Sequence, residues 1–194
     1  MSAFANLPQS HFGVILADPP WTWKAYSDKG LAKSPQRHYG CMSLDDIKAL
    51  PVAGMAAPNA MCVMWATSPM MPQALATLAA WGFTFKTMGA WHKRSSTGAK
   101  DAFGTGYIFR SAAEFYIVGT RGHPKPAVKN VRNLITAPVR EHSRKPDQMR
   151  SDLERMFPDA NRIELFARQV APGWTAWGNQ VDRFDVASEL EMAA

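Results

Sequence analysis

Cysteine is scarce in this chain of 194 residues, which contains only Cys41 and Cys62. The two thiols are unclustered and match no zinc-ligand spacing, so we expect reduced cysteines in a cytoplasmic protein without a metal site. Long apolar runs are also missing, which argues against a bilayer-spanning helix. The opening residues, MSAFANLPQSHF, lack the cationic start and apolar stretch of a signal peptide. A hydrophobic content of 46% over this length predicts one globular domain with a buried core.

Acidic residues are scarce in the middle of the chain. Residues 92–150 hold 12 Lys and Arg against 4 Asp and Glu, a net charge of +8, whereas the whole chain carries +6. A basic middle segment on a near-neutral frame favours a polyanionic partner such as nucleic acid. A solvated surface with surplus lysines is the alternative, and charge alone does not decide between the two.

Short apolar runs alternate with helical patterns along the chain. We predict buried strands at FGVILA (12–17), AMCVMWA (60–66), FTFKTMGAWHK (83–93), AEFYIVGTR (113–121) and RIELFA (162–167). Helices are predicted at SLDDIKAL (43–50), SPMMPQALATLAAWG (68–82) and KPDQMRSDLERMF (145–157). The alternation indicates an α/β sheet with helices on its faces. The Gly/Ser/Lys-rich segment 94–107 is predicted to be a mobile loop.

Capping residues set the predicted helix boundaries. They are Ser43 with Asp46 for the first helix, Ser68, Pro69 and Gly82 for the second, and Pro146 in the first turn of the third. The buried face of the third helix is predicted from residues at helical spacing, namely Met149, Leu153, Met156 and Phe157.

The stretch VILADPPWTW (14–23) ends an apolar strand in a carboxylate, two prolines and a tryptophan. An adenine 6-amino group is a poor nucleophile because its lone pair is delocalised into the ring. Asp18 and the carbonyl of Pro19 can accept hydrogen bonds from both amino hydrogens and free that lone pair. The diproline holds this carbonyl in place, and Trp21 offers a flat face for purine stacking. The alternative is a strand that ends in an ordinary turn, with the tryptophan in the core.

The chain resembles the adenine-N6 methyltransferase family typified by the catalytic subunit of the messenger-RNA writer, which has many bacterial and phage members. Eight pieces occur in family order, from about residue 12 to 180. They are ADPPW, YGCMSLDDI, VMWATSPMMPQAL, WGFTFKTMGAWHK, GTGYIFRSAAEFYIVGTRG, APVREHSRKPDQM, IELFAR and PGWTAWGNQV. The resemblance implies a single-domain Rossmann-like fold of S-adenosylmethionine-dependent methyltransferases, with the catalytic motif placed before the cofactor segment.

The resemblance also implies roles for individual residues, without a metal. The catalytic motif is matched by Asp18, Pro19, Pro20 and Trp21, and positions near the target adenine by Tyr39 and Glu114. Cofactor positions are matched by Lys145, beside the donor's carboxylate, and by Glu164, Arg168, Asn179 and Gln180. Most of these residues also have a simpler alternative. Lys145 is then an exposed lysine, Glu164 an acid paired with an arginine, and Tyr39 a loop anchor. Glu114 is then an ordinary strand residue, and Asn179 and Gln180 only end a turn.

Two departures from the family pattern concern the donor. Members usually have an earlier strand whose aspartate contacts the donor's adenine, whereas no Asp precedes Asp18 here. Backbone groups near Asn6 or Leu7 are the candidates to replace it. A His-Asn pair that follows the cofactor segment in the eukaryotic relative is replaced by QVAPG (169–173).

Two loops, residues 22–42 and 139–145, are predicted to become ordered when donor or nucleic acid binds. Their cations are expected to contact phosphates together with Lys93, Arg94, Lys100 and Arg110. His92, His123 and His142 lack metal-ligand spacing and are interpreted as surface or phosphate-facing side chains.

The resemblance implies a site-specific, adenine-specific methyltransferase, and the analogy with compact bacterial and phage members favours DNA as its substrate. The chain lacks a separate target-recognition domain, so we expect loose preference for the flanking sequence. The same reaction on RNA and a non-catalytic nucleic-acid-binding partner subunit are the alternatives. We expect the methyltransferase domain to occupy residues 1–182, followed by a frayed acidic tail at 183–194, and a homodimer is conceivable.

Overall fold

A seven-stranded sheet forms the centre of the protein in a computed structural model that describes residues 4–21, 42–104, 106–141 and 144–181. The strand order is β5-β3-β4-β2-β1-β6-β7, and β4 runs antiparallel to both of its neighbours while the other pairs are parallel. The strands are β1 (Phe12–Ala17), β2 (Ala56–Ala66), β3 (Thr84–Arg94), β4 (Ala113–Arg121), β5 (Leu134–Pro138), β6 (Arg162–Leu165) and β7 (Thr175–Trp177).

Helices cover both faces of this sheet. In the described part of the chain they are α1 (Leu44–Ala49), α2 (Val52–Met55), α3 (Met71–Ala80) and α4 (Gln148–Met156), with a 3-10 turn at Ser68–Met70. Alternate residues of β1 point to opposite faces. Ile15 and Ala17 pack with α1, α2 and α3, whereas Val14 and Leu16 pack with α4. The predicted α/β Rossmann-like architecture is confirmed, and the permuted motif order stays a prediction.

The helix starts differ from the predicted ones in two places. Ser43 caps α1 as predicted, and its hydroxyl oxygen accepts the Asp46 N–H at 3.1 Å. The prediction of Ser68 as an N-cap is wrong, because Pro72 has no N–H to donate to the Ser68 carbonyl. A 3-10 turn therefore precedes α3, which ends before Gly82 at a φ of +81°.

The third predicted helix is shorter than expected. It begins at Gln148, so Pro146 precedes its first turn instead of lying in it. Met149 and Leu153 form its buried face, and Phe157 packs against the same cluster half-buried. Among the described helices, none is long and apolar enough to cross a membrane.

The strand topology brings chemically active positions to one edge of the sheet, which we call the carboxyl edge. Six strands end there, and β4 begins there because it runs in the opposite direction. Asp18 follows β1, Lys93 lies at the end of β3, and Glu114 lies at the start of β4. Ligand sites of open α/β sheets form at such an edge.

Candidate active site

Asp18 lies at the carboxyl edge, immediately after β1. Its N–H donates to the Leu165 carbonyl at 3.4 Å, which continues the β1–β6 pairing. The alternation of β1 places its side chain on the face that α4 covers, as for Val14 and Leu16. Its carboxylate accepts a hydrogen bond from Lys145 Nζ at 2.8 Å.

Lys145 connects Asp18 to a second carboxylate. Its Nζ lies 2.8 Å from Asp18 Oδ2 and 3.0 Å from Glu114 Oε1, and 5.7 Å from the ring centroid of Trp65. Lys93 Nζ contacts the other Glu114 oxygen at 2.8 Å. Asp18, Lys145, Glu114 and Lys93 thus form a row of alternating charges, the ion-pair row, at the carboxyl edge.

The ion-pair row changes the protonation of its central members. Burial raises the pKa of Glu114, but the charges of Lys145 and Lys93 and their hydrogen bonds outweigh burial and lower the pKa to about 2. Burial likewise opposes the charge of Lys145, yet Asp18 and Glu114 raise its pKa above the ordinary value. Glu114 is therefore ionised and Lys145 protonated throughout the physiological pH range.

The two prolines and Trp21 differ in part from their predicted roles. Pro19 is buried, and its carbonyl accepts the N–H of Trp21 at 2.8 Å, which occupies one of its two lone pairs. Trp21 is only 5% exposed, packs in the core and donates its indole N–H to the Trp65 carbonyl at 2.9 Å. The prediction of an open stacking face at Trp21 is wrong here, because core packing takes up the ring.

A cleft opens beside Asp18 on the α4 face of the sheet. Its cavity volume is only about 40 Å³, and the empty space among its lining residues reaches about 450 Å³ when the open solvent at its mouth is included. The lining combines cations, carboxylates and aromatic rings, with Asp18, Glu164, Arg144, Lys145, Arg150, Arg168, Trp65 and Phe166 among its residues. Such a mixture suits a ligand that carries a charged amino-acid group and a flat ring.

Glu164 is paired with an arginine in this cleft. Arg150 Nη1 donates to its carboxylate at 2.9 Å, which is the simpler alternative stated for this residue. Burial nevertheless raises the pKa of Glu164, since desolvation outweighs the attraction of Arg150 and the negative charge of Asp18 acts in the same direction as burial. Arg150 also contacts Asp147 at 2.5 Å and so holds two carboxylates.

Replacing Arg150 with Met is expected to lower the free energy of unfolding by about 2 kcal/mol at pH 7, because Glu164 then lies half-buried without its cation. Urea denaturation measures the change. Arg155→Met on the same helix is the matched control. Arg155 is 56% exposed and pairs with Asp152 one turn away at 3.3 Å, so its loss should stay within about 0.5 kcal/mol.

The effect of Arg150→Met is also expected to depend on pH. Without Arg150, the pKa of Glu164 in the folded state rises further above its unfolded value. A raised folded pKa means that stability is lost as pH rises, so the destabilisation should grow between pH 4.5 and pH 7. Equal losses for the Arg150 and Arg155 variants at pH 7 would contradict the structural role given to Arg150.

The structure brings some of the predicted cofactor residues together and separates others. Lys145, Glu164 and Arg168 line the cleft. Asn179 and Gln180 follow β7 at the same edge, outside the cleft lining. Phe4 packs edge-on against Trp177 with ring centroids 4.9 Å apart, which places the segment with Asn6 and Leu7 beside the end of β7. Donor contacts of these residues stay predictions.

Most of the predicted substrate-binding cations have partners within the protein. Lys93 belongs to the ion-pair row, and Arg94 pairs with Asp101, which also accepts from His92 at 2.8 Å. Arg110 is exposed, and its guanidinium lies 5.9 Å from the ring centroid of Phe103. His123 lies just past the end of β4 at the opposite edge of the sheet, so it does not face the site. Tyr39, His142 and the predicted tail at 183–194 lie outside the described residues.

The two predicted gating loops are covered unequally. Of the segment 22–42, only Met42 belongs to the described residues, and the ordering of this loop stays a prediction. In the other loop, Arg140 donates to Asp147 and to the Lys145 carbonyl, each at 2.7 Å. These contacts fasten Arg140 to Asp147 and Lys145 just before α4, and Lys145 in turn reaches Asp18.

Trp65 and Arg150 are site residues that the sequence reasoning missed. Trp65 lies near the end of β2, and its position near the end of the predicted strand 60–66 was the available signal. Arg150 lies one turn beyond Pro146 and directly follows Met149, a buried residue of α4. An arginine next to a buried helix position is a feature of the sequence that could have identified it as a site residue.

Comparison with known proteins gives a family for this arrangement. A family model described as MT-A70 matches residues 12–180. The type II methyltransferase M.MunI of a Mycoplasma species is 31% identical over 209 residues, with 97% of this chain and 87% of that protein covered.

Eukaryotic proteins are similar over a smaller share of their own length. An MT-A70-like N(6)-adenosine-methyltransferase of Arabidopsis thaliana is 32% identical and covers 92% of this chain, and the human N(6)-adenosine-methyltransferase catalytic subunit METTL3 is 29% identical and covers 88%. This chain spans 25% and 28% of those two proteins. Since the family model matches most of the chain and places the site residues within it, this protein is a methyltransferase of the MT-A70 family.

Proposed function

We propose that this protein transfers a methyl group from S-adenosylmethionine to the exocyclic 6-amino group of adenine in DNA. The proposal rests on one observation above all: Asp18, followed by Pro19 and its carbonyl, lies at the carboxyl edge beside a cleft of mixed charge. When bound, S-adenosylmethionine supplies an electrophilic methyl group on sulfur. The residues of this chain bind the donor and orient the adenine, and Asp18 and the Pro19 carbonyl accept hydrogen bonds from the amino group of that adenine.

The cleft residues fit the methyl donor chemically. Its carboxylate suits Lys145 and Arg168, which both line the cleft, and its ammonium and ribose hydroxyls suit Asp18 and Glu164. Trp65 and Phe166 add aromatic surface to the same wall. A donor carboxylate at Lys145 competes with Glu114 for that ammonium, so donor binding and the ion-pair row are coupled.

Asp18 and Pro19 retain capacity for the amino hydrogens of adenine. A carboxylate has two oxygens with about four acceptor sites, and the contact with Lys145 uses Oδ2. The Pro19 carbonyl accepts one hydrogen bond from Trp21 and has a second lone pair. Two fixed acceptors at the end of a buried strand would draw the nitrogen towards a tetrahedral form without moving, which is how preorganised dipoles accelerate a reaction.

DNA is the favoured polymer for two reasons. This chain matches 87% of the length of the type II methyltransferase M.MunI. It matches only about a quarter of the length of the two relatives named as N(6)-adenosine-methyltransferases. The basic segment 92–150 also suits a polyphosphate backbone. On cysteine usage we place the protein in the cytoplasm. Adenine specificity is supported by the two acceptors at Asp18 and Pro19, which match the two amino hydrogens of that base.

The test uses tritium from labelled S-adenosylmethionine and pools of DNA and RNA oligonucleotides that contain adenine in all sequence contexts. Digestion to nucleosides and mass spectrometry should then yield N6-methyldeoxyadenosine from the DNA pool. Methylation of the RNA pool alone would replace DNA by RNA as substrate. Tight nucleic-acid binding without transfer to either pool would favour a non-catalytic partner subunit.

A further inference from the structure

The loop between β3 and β4 exposes large apolar side chains at its far end. Phe103 is 66%, Ile108 99% and Phe109 83% exposed, and we call these three residues the apolar tip. Single exposed apolar residues are common, whereas a cluster of them on one loop marks an interaction site. Nothing in the proposed reaction at Asp18 uses these side chains.

Backbone pairing fixes the base of this loop. Lys93 N–H donates to the Ala112 carbonyl at 2.9 Å, and Ala102 N–H donates to the Lys93 carbonyl at 2.8 Å. Further out, Gly104 and Ser111 form an antiparallel bridge, with a 2.9 Å bond from Gly104 N–H to the Ser111 carbonyl. The apolar tip is therefore carried on a paired stem that extends β3 and β4 past the carboxyl edge.

The backbone at the end of the stem is tight and strained. Gly106 approaches the Phe109 carbonyl so closely that a Cβ at this position would collide with it. Ile108 has a φ of +47°, a left-handed conformation that is costly for a β-branched residue. Strain of this kind occurs where a function depends on the position of a side chain. Here the strained residue is also the most exposed one of the apolar tip.

The apolar tip is close to the proposed site and is accompanied by positive charge. The loop joins Lys93 to Glu114, which pair with each other at 2.8 Å in the ion-pair row. Ile108 is six positions before Glu114, so their Cα atoms lie at most about 22 Å apart. Arg110 is exposed next to Phe109 and lies over the ring of Phe103, where its guanidinium can contact a phosphate.

We propose that the apolar tip inserts between stacked bases of duplex DNA next to the target adenine and fills the space that this adenine leaves when it turns towards Asp18. This inference rests on the proposed function and specifies duplex DNA as a substrate form. An adenine within a duplex cannot reach a protein carboxylate until it leaves the stack. Apolar wedges compensate part of the lost stacking, and flanking cations hold the backbone on both sides.

The size of the apolar tip favours bases over a folded protein as its partner. Three fully covered side chains of this size bury roughly 450–750 Å². A stable protein interface buries about 800 Å² on each partner. Two or three apolar side chains do suffice for insertion at a single base step. The net charge of +8 over residues 92–150, which include the whole loop, also complements a nucleic acid.

The double variant Ile108→Ala/Phe109→Ala tests the proposal by methyl transfer to matched DNA pools. On duplex DNA its kcat/KM should fall by about tenfold or more, and on single-stranded DNA it should stay within about twofold of the original protein. Duplexes with an unpaired bubble around the adenine should restore its activity, because the unstacking is already complete. Leu134→Ala is the matched control, since Leu134 is 54% exposed and lies at the start of β5, away from the carboxyl edge.

A second measurement does not depend on catalysis. The fluorescence of a duplex pool with 2-aminopurine in place of adenine should increase when the original protein binds. The increase should be smaller with the double variant. If the original protein increases the fluorescence of this pool but methylates no DNA, the proposed function fails and the proposed insertion stands. Equal losses on single-stranded and duplex pools, or an unchanged fluorescence response of the double variant, would overturn the insertion.

Discussion

Replacing Asp18 with Asn is expected to lower kcat for methyl transfer by about 10³-fold, equivalent to about 4 kcal/mol of transition-state stabilisation. The amide keeps the size of the side chain and one acceptor oxygen but replaces the other oxygen with a donor. That donor would oppose the amino hydrogens of adenine. The charge that pairs with Lys145 at 2.8 Å is also lost.

The measurement is single-turnover transfer of labelled methyl groups to the DNA pool, at saturating donor. Asp45→Asn serves as the matched control, because Asp45 is an exposed carboxylate in the first turn of α1 on the other face of the sheet. Circular dichroism should show both variants folded. If Asp18→Asn transfers methyl groups as fast as Asp45→Asn, the carboxylate has no part in the reaction.

The strands inside the sheet were predicted from the sequence, whereas the two edge strands were not. β1 and β4 have the predicted bounds because buried neighbours on both sides require continuous apolar runs. β5 and β7 are the terminal strands of the sheet order, and they are short and partly exposed. A strand with one neighbour buries less surface, so its sequence carries a weaker apolar signal.

The candidate site was predictable to the extent that strand ends determine it. Asp18 directly follows the predicted strand 12–17, Arg168 directly follows the predicted strand 162–167, and both line the cleft. The contact between Asp18 and Lys145 joins residues 127 positions apart, which no local pattern reveals. The predicted stacking face of Trp21 was wrong for the same reason. The hydrogen bond from its indole N–H to the distant Trp65 carbonyl holds the ring in the core, and no local pattern reveals this bond.

Replacing Lys145 with Met is expected to lower the free energy of unfolding by about 3 kcal/mol at pH 7, because two carboxylates then lie near each other without the cation between them. Asp18 and Glu114 are 18% and 14% exposed, so solvent compensates only part of the loss. The variant should also bind S-adenosylmethionine at least about tenfold more weakly, if Lys145 pairs with the donor's carboxylate. Urea denaturation and calorimetry measure the two effects separately.

The pH dependence of Lys145→Met identifies the groups responsible. The folded pKa of Glu114 is about 2, below the ordinary 4.5, so its contribution to stability is complete above pH 4.5 and is lost as pH falls towards 2. Lys145 has a raised pKa, so its contribution is complete below its ordinary value of 10.5. The stability difference between the original protein and the variant should therefore be constant from about pH 5 to pH 9 and shrink below pH 4.5.

Two further variants separate the charge of Lys145 from its apolar stem. Lys145→Arg keeps a cation and should recover most of the stability, while its different geometry leaves donor binding only partly restored. Lys86→Met is the matched control, since Lys86 is exposed on β3 and the same change there should cost about 0.5 kcal/mol or less. A stability difference for Lys145→Met that stays constant down to pH 3 would mean that Glu114 does not depend on this lysine, and the ion-pair row would then lose its role in organising the site.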